Sequence, residues 1–223
     1  MLNRIAGFID HTNLSVDASA SDIKQLCAEA RAYKFAAVCV NPIWVKLAVS
    51  ELIGSNIPVC SVIGFPSGAH LPEAKFLEAE LALADGAREL DTVINIAALK
   101  AADCDAVRAD IEPLAVLAHE NRAILKVILE TAILTDEEIV RGSQWSEEFG
   151  ADFVKTSTGM LKGEKMGATE HAVELMRKSV SRDVGVKASG GISNRQDAKV
   201  MLMVGATRIG TSSSVAIAFG ENR

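Results

Sequence analysis

Short runs of Val, Ile and Ala alternate along this chain with longer segments whose apolar positions recur at helical spacing. Nearly continuous apolar runs of this length read as strands buried on both faces of a parallel sheet. They fall at 7–12 (GFIDHT), 36–41 (AAVCVN), 58–65 (PVCSVIGF), 87–95 (ARELDTVIN), 123–131 (AILKVILET), 152–158 (DFVKTST), 184–191 (VGVKASGG) and 206–213 (ATRIGTSS). Each gap between them has room for a helix, with clear candidates at 20–33, 69–85, 103–120, 135–149 and 168–180, and a last one at 212–219. LTDEEIVRG and ATEHAVELM both place a capping threonine before acidic residues, as a helix start requires. Eight strand–helix units predict an α/β fold, a (β/α)8 TIM barrel with a short N-terminal extension, and a single domain over 1–223. An open doubly wound sheet is the competing layout. It would want a glycine-rich turn after the first strand, and none is there.

Composition narrows the function. Half of the 223 residues are hydrophobic, enough for one substantial core. Lys and Arg number 23 against 29 Asp and Glu, with no basic block, which argues against a nucleic-acid surface. No apolar run approaches the ~20 residues of a membrane span, and MLNRIAGFIDHTN lacks the apolar core of a signal peptide. The expected setting is cytoplasmic, with no membrane partner. Cys27, Cys39, Cys60 and Cys104 form no CxxC pair and mostly sit in apolar patterns, as reduced buried thiols do.

What changes the picture is charge inside the strands. Asp10 ends the first run, Asp91 interrupts the fourth, and Lys126, Lys155 and Lys187 stand inside the fifth, sixth and seventh. Side chains alternate along a strand, so Lys126 shares a face with Glu130, Lys155 with Phe153 and Ser157, and Lys187 with Gly185 and Ser189. If Val154, Val184 and Val186 face the helices, all three lysines point into the barrel. One such lysine would be a snorkelling or paired cation. Three on adjacent strands are costly to desolvate without purpose. Burial and a second nearby cation both favour a neutral amine, which can attack a carbonyl and form a Schiff base. Lys155 is the expected nucleophile, with Asp91 moving protons through the neighbouring lysine and water.

Glycines and hydroxyls follow these strands. TSTG comes after Lys155, ASGGI after Lys187, and IGTSSS ends the eighth run. Gly190 and Gly191 free backbone N–H groups, and Ser212 and Ser213 open the last helix. Loops after strands seven and eight commonly bind phosphate in this fold.

The ordered motifs IDHTNL, AAVCVNP, SVIGFPSG, ELDTVINI, LKVILET, FVKTSTG and VKASGGI resemble the deoxyribose-phosphate aldolase family over nearly the whole chain. The resemblance implies reversible cleavage of 2-deoxyribose 5-phosphate to acetaldehyde and glyceraldehyde 3-phosphate. It makes Lys155 the Schiff-base lysine, Lys187 the second lysine that holds off its proton, and Asp91 the relay acid. Asp10, Thr12, Cys39 and Lys126 match pocket residues; Thr156, Gly159, Gly190, Gly191, Ser212 and Ser213 match substrate and phosphate positions. No metal or cofactor is implied, and His11, His70, His119 and His171 show no ligand-like spacing. A homo-oligomer, a dimer by default, and a role in deoxynucleoside catabolism are further implications.

The chain departs from the pattern at three places. Asn13 replaces an aliphatic residue, and the given sequence ends AFGENR where many members carry a tyrosine. The loop GMLKGEKMGAT is long, with Met160 where some members have a lysine, so Lys162 or Lys165 is expected to reach the phosphate instead. Two other functions share parts of this reading. One is a Schiff-base aldolase or transaldolase with a ketone donor. The other is a non-catalytic phosphate-binding barrel, which leaves the Lys155–Lys187 pair without a purpose.

Overall fold

The computed structural model describes residues 2–160 and 167–219. Eight parallel strands close into a barrel in sequence order: β1 Ile9–Asn13, β2 Ala37–Val40, β3 Val59–Ile63, β4 Glu89–Val93, β5 Ile124–Ile128, β6 Phe153–Lys155, β7 Gly185–Ser189 and β8 Arg208–Thr211. β8 pairs with β1, so no edge is left. This is the (β/α)8 TIM barrel that the alternation of runs predicts. The helices between the strands are α1 Ala20–Tyr33, α2 Val45–Glu51, α3 Pro72–Ala84, α4 Ile96–Lys100, α5 Cys104–Glu120, α6 Asp136–Glu148, α7 Glu170–Ser179 and α8 Arg195–Met203, and α9 Ser214–Phe219 follows β8. A 3-10 helix, Leu2–Phe8, precedes β1 and packs against α9, so the first strand starts two residues later than the apolar pattern suggests.

The helix starts follow the caps. Thr135 accepts from Glu138 N in a reciprocal capping box, Ser19 does the same with Asp22, and Thr169 accepts from Ala172 N. The strands are shorter than their apolar runs. Beyond Ile128, Lys155 and Ser189 the chain leaves the ladder and forms the loops of the C-terminal face, where this fold places its chemistry.

The core has two shells. Outward positions such as Val38, Leu90, Leu125, Val127, Val154, Val186 and Ile209 are fully buried under the helices. Inside the barrel a small apolar cluster of Leu14, Cys39, Cys60 and Val62 packs beside a group of buried ionic side chains. A separate buried pair lies outside the barrel. Lys75 of α3 donates to Asp110 Oδ1 of α5 at 2.6 Å and to Val93 O at 2.8 Å, while Asp110 Oδ2 accepts from Asn95 N at 2.8 Å. This pair pins the end of β4. Among the described residues no helix is long and apolar enough to cross a membrane.

Candidate active site

Strand register brings the ionic residues together. Asp91 lies beside Lys126 across β4 and β5, and Lys155 beside Lys187 across β6 and β7. Asp91 is the hub. Its Oδ1 accepts from Lys126 Nζ at 2.7 Å, and its Oδ2 accepts from both Lys155 Nζ and Lys187 Nζ at 2.7 Å. Lys187 also donates to Asp10 Oδ2. Below them Lys126 pairs with Glu89 at 2.6 Å, and Arg208 bridges Asp10 at 2.6 Å and Glu89 at 3.2 Å. Asp10, Asp91, Lys126, Lys155 and Lys187 are all at most 3 % exposed.

Electrostatics favours the ionised forms of Asp10, Asp91, Lys126 and Lys187. Burial alone would raise the Asp91 carboxyl, but the ammonium groups of Lys126, Lys155 and Lys187 hold it well below the usual carboxylate range. Asp10 is likewise pulled against burial to about 2 by Lys187, Lys126 and Arg208. Burial works against charge on Lys187, yet Asp10 and Asp91 outweigh it and raise that group above the ordinary lysine value. Lys126 is raised in the same way, chiefly by Asp91.

Above the cluster a cavity of about 680 Å³ opens at the C-terminal face. Lys155 lines it; Lys126 and Lys187 lie beneath. Of the residues expected from the sequence, Thr12, Gly159, Gly190, Gly191, Ser212 and Ser213 also line this cavity. Gly190 has φ 86° and stands so close to Gly167 that a Cβ there would come within 2.8 Å of the Gly167 Cα. Only glycine lets the two loops meet. Thr156 is not on the cavity wall. Its hydroxyl donates to Ser189 O and accepts from Ser189 N, both at 3.0 Å, tying β6 to β7. Cys39 is fully buried beneath the cavity, and Lys162 and Lys165 lie outside the described residues.

Three members of the cluster are not marked as site residues by the sequence pattern: Glu89, Arg208 and Cys60. Alternation could have found the first two. Glu89 is two residues before Asp91, and Arg208 two before Gly210 on an inward face. Cys60 looked like an apolar thiol, but its Sγ lies 3.1 Å from Asp91 Oδ1 and 3.3 Å from Lys126 Nζ. Burial, its contact with Cys39 and the Asp91 charge raise its pKa well above a free thiol, so it donates to Asp91. Cys39, Cys60 and Asp91 place three potential metal ligands within 4.8 Å of one another, but the Asp91 oxygens are already engaged by three lysines.

The profile of the DeoC/LacD family of aldolases matches residues 4–214. The chain belongs to this family. Among DeoC/LacD relatives, a deoxyribose-phosphate aldolase from Bacillus cereus (strain AH187) is 52% identical over 217 residues, which cover 97% of this chain and 96% of the relative. Solved structures agree in fold. The deoxyribose phosphate aldolase from Aeropyrum pernix, described as tetrameric, superposes with a TM-score of 0.90 at 34% identity, over 98% of this chain and 91% of its own. An aldolase named QR15 gives a TM-score of 0.90 at 40% identity, over 96% of this chain and 94% of its own.

Proposed function

We propose that this DeoC/LacD member is a class I deoxyribose-phosphate aldolase whose nucleophile is Lys155. The observation that carries the residue assignment is access. Lys155 is the one lysine of the buried triad that lines the cavity, and it touches Asp91 from there. Its amine adds to the C1 aldehyde of open-chain 2-deoxyribose 5-phosphate, and water leaves to give an iminium. The C3 hydroxyl loses its proton, the C2–C3 bond breaks, and its electron pair forms the enamine. Glyceraldehyde 3-phosphate departs. Protonation at C2 and hydrolysis then release acetaldehyde and restore the amine. Asp91, held ionised among three ammonium groups, relays these protons with Lys187 and water. Lys187 rests in its charged form beside the nucleophile.

In this reading the phosphate lies against Gly159, Gly190, Gly191, Ser212 and Ser213, which share the cavity wall with Lys155. Asp10 and Lys126 set the field beneath, Thr12 meets the sugar, and Cys39 borders the reacting carbons from below. The chain acts as one barrel unit on sugar phosphates and aldehydes in the cytoplasm, as a homo-oligomer whose default state is a dimer; sedimentation analysis would measure that state.

The deciding test is borohydride reduction with acetaldehyde, followed by intact mass and peptide mapping. The expected product is a reduced two-carbon adduct on Lys155, absent in Lys155→Leu. An adduct on Lys187 or Lys126 would overturn the residue assignment. A folded protein that binds deoxyribose 5-phosphate yet gives no adduct would overturn the reaction. A donor screen of acetaldehyde against pyruvate and dihydroxyacetone phosphate separates this aldolase from a ketone-donor enzyme.

A further inference from the structure

Glu130 stands just past β5 in the left-handed region, at φ 60° and ψ 58°. That backbone is costly for a residue with a Cβ; among the described residues Lys34, Ala102 and Arg122 also adopt it, each just past a helix, whereas Glu130 follows a strand. The backbone bonds just past the ladder show what it does. Leu129 N donates to Lys155 O and Thr131 N to Thr156 O, both at 2.9 Å. Two residues advance on the β5 side while one advances on β6. Glu130 is therefore the extra residue of a bulge, a device that re-aims a side chain.

The side chain is aimed at the loop after β6. Glu130 is 3 % exposed, and its Oε2 accepts from Thr158 N at 3.1 Å and from Thr158 Oγ1 at 2.5 Å. The same Thr158 hydroxyl accepts from Met160 N at 3.1 Å. Gly159, at φ 78°, is held between these two anchored residues. Thr158, Gly159 and Met160 all line the cavity beside Lys155, whereas Glu130 does not. A glycine at 130 would make the bulge without strain. The carboxylate is what glycine could not supply.

We propose that Glu130 is a positioning residue for substrate phosphate, acting through Thr158 to fix the Gly159 peptide on the cavity wall. This rests on the phosphate assignment above. Its loss leaves Lys155, Lys187 and Asp91 untouched, because Glu130 bonds to none of them. The effect falls on binding of the phosphorylated end, and the Schiff-base step is spared.

The test uses Glu130→Gly, which relieves the backbone and removes the carboxylate. Calorimetric titration with glycerol 3-phosphate, which carries the phosphate and no carbonyl, should show Kd raised roughly tenfold, the scale of one or two lost charge-assisted hydrogen bonds. KM for deoxyribose 5-phosphate should rise by a similar factor, with kcat changed less than about threefold. Borohydride trapping of acetaldehyde on Lys155 should match the parent protein. Thr158→Val should copy the effect, and the double variant should be no worse than either single one, since both break the same link. Glu130→Gln, which keeps an acceptor oxygen, should recover part of the affinity and serves should the glycine variant fail to fold. An unchanged Kd for glycerol 3-phosphate, or additive losses in the double variant, would overturn the proposal. Failure of the parent protein to trap acetaldehyde would sink the aldolase reading alone, because the phosphate titration needs no turnover.

Discussion

Asp91→Asn isolates the hub of the charge cluster. In the parent protein one carboxylate accepts three ammonium hydrogen bonds at 2.7 Å, and all four groups are almost wholly buried. The asparagine is nearly the same size, so packing is kept and charge is lost. Asp10 and Glu89 remain to oppose Lys126, Lys155, Lys187 and Arg208. Breaking a buried ion pair by removing one partner costs about 3–5 kcal/mol. The three contacts share one carboxylate, so their losses do not add, and the range applies to the site as a whole. For a chain of this size that is a fall in melting temperature of roughly 6–20 °C. The pH dependence has a definite sign. The folded Asp91 carboxyl is held well below its ordinary value, so its stabilisation is complete above the unfolded pKa of about 3.9. It is lost as pH falls from there through the folded value. The stability gap between parent and variant should therefore be constant from pH 7 to 5 and shrink below pH 4. Urea denaturation followed by Trp44 and Trp145 fluorescence at pH 7, 5 and 3 measures it. A gap under 1 kcal/mol at pH 7, or one that widens on acidification, would refute the account of Asp91 as an ionised hub.

Three further outcomes follow from the geometry. Lys75→Met strips the partner from buried Asp110 and should cost about 3–5 kcal/mol in urea denaturation while leaving kcat unchanged, because the pair lies outside the barrel. Thr156→Val should lose about 1–2 kcal/mol of stability with little change in KM, since its hydroxyl ties β6 to β7 and does not face the cavity; a large KM effect would return Thr156 to the binding site. Alanine at both Lys162 and Lys165 should raise KM for the phosphorylated substrate only, and an equal effect on a non-phosphorylated aldehyde would remove them from phosphate binding.

The barrel was legible because its two periodicities are clean. Val154 and Val186 face the helices, which forces Lys155 and Lys187 inward, and the register then sets them side by side. The hub was legible for the same reason: Asp91 interrupts an apolar run. What escaped was everything set by tertiary distance or local backbone. Arg208 and Glu89 obey alternation, but only barrel closure brings β8 and β4 to one ion pair. The resemblance places Thr156 among the substrate residues, yet its hydroxyl is spent on the backbone of Ser189 in β7. On a continuous strand Glu130 reads as sharing the inward face of Lys126 and Ile128. The bulge breaks that count, and no pattern in the apolar run announces it.

The lysine triad also raises the question of why three cations share one hub. Lys126, Lys155, Lys187 and Arg208 face Asp10, Glu89 and Asp91, so with every group ionised the cluster carries one surplus positive charge. Lys187 pairs with two carboxylates and Lys126 with three, whereas among the described residues Lys155 pairs with Asp91 alone. Lys155 is also the member that lines the cavity, and the cluster would carry no net charge with a neutral group in its place. The proposed cycle uses both charge states. An iminium on Lys155 restores the positive charge in the place the ammonium held, within reach of Asp91. The enamine that follows is neutral and leaves three cations against three anions. Carbon–carbon cleavage thus moves the cluster between a surplus of one and none, without creating a buried charge that lacks a partner. In the proposed cycle, removing either supporting cation would shift that balance at the enamine, which is the part Lys126 and Lys187 would play although neither lines the cavity.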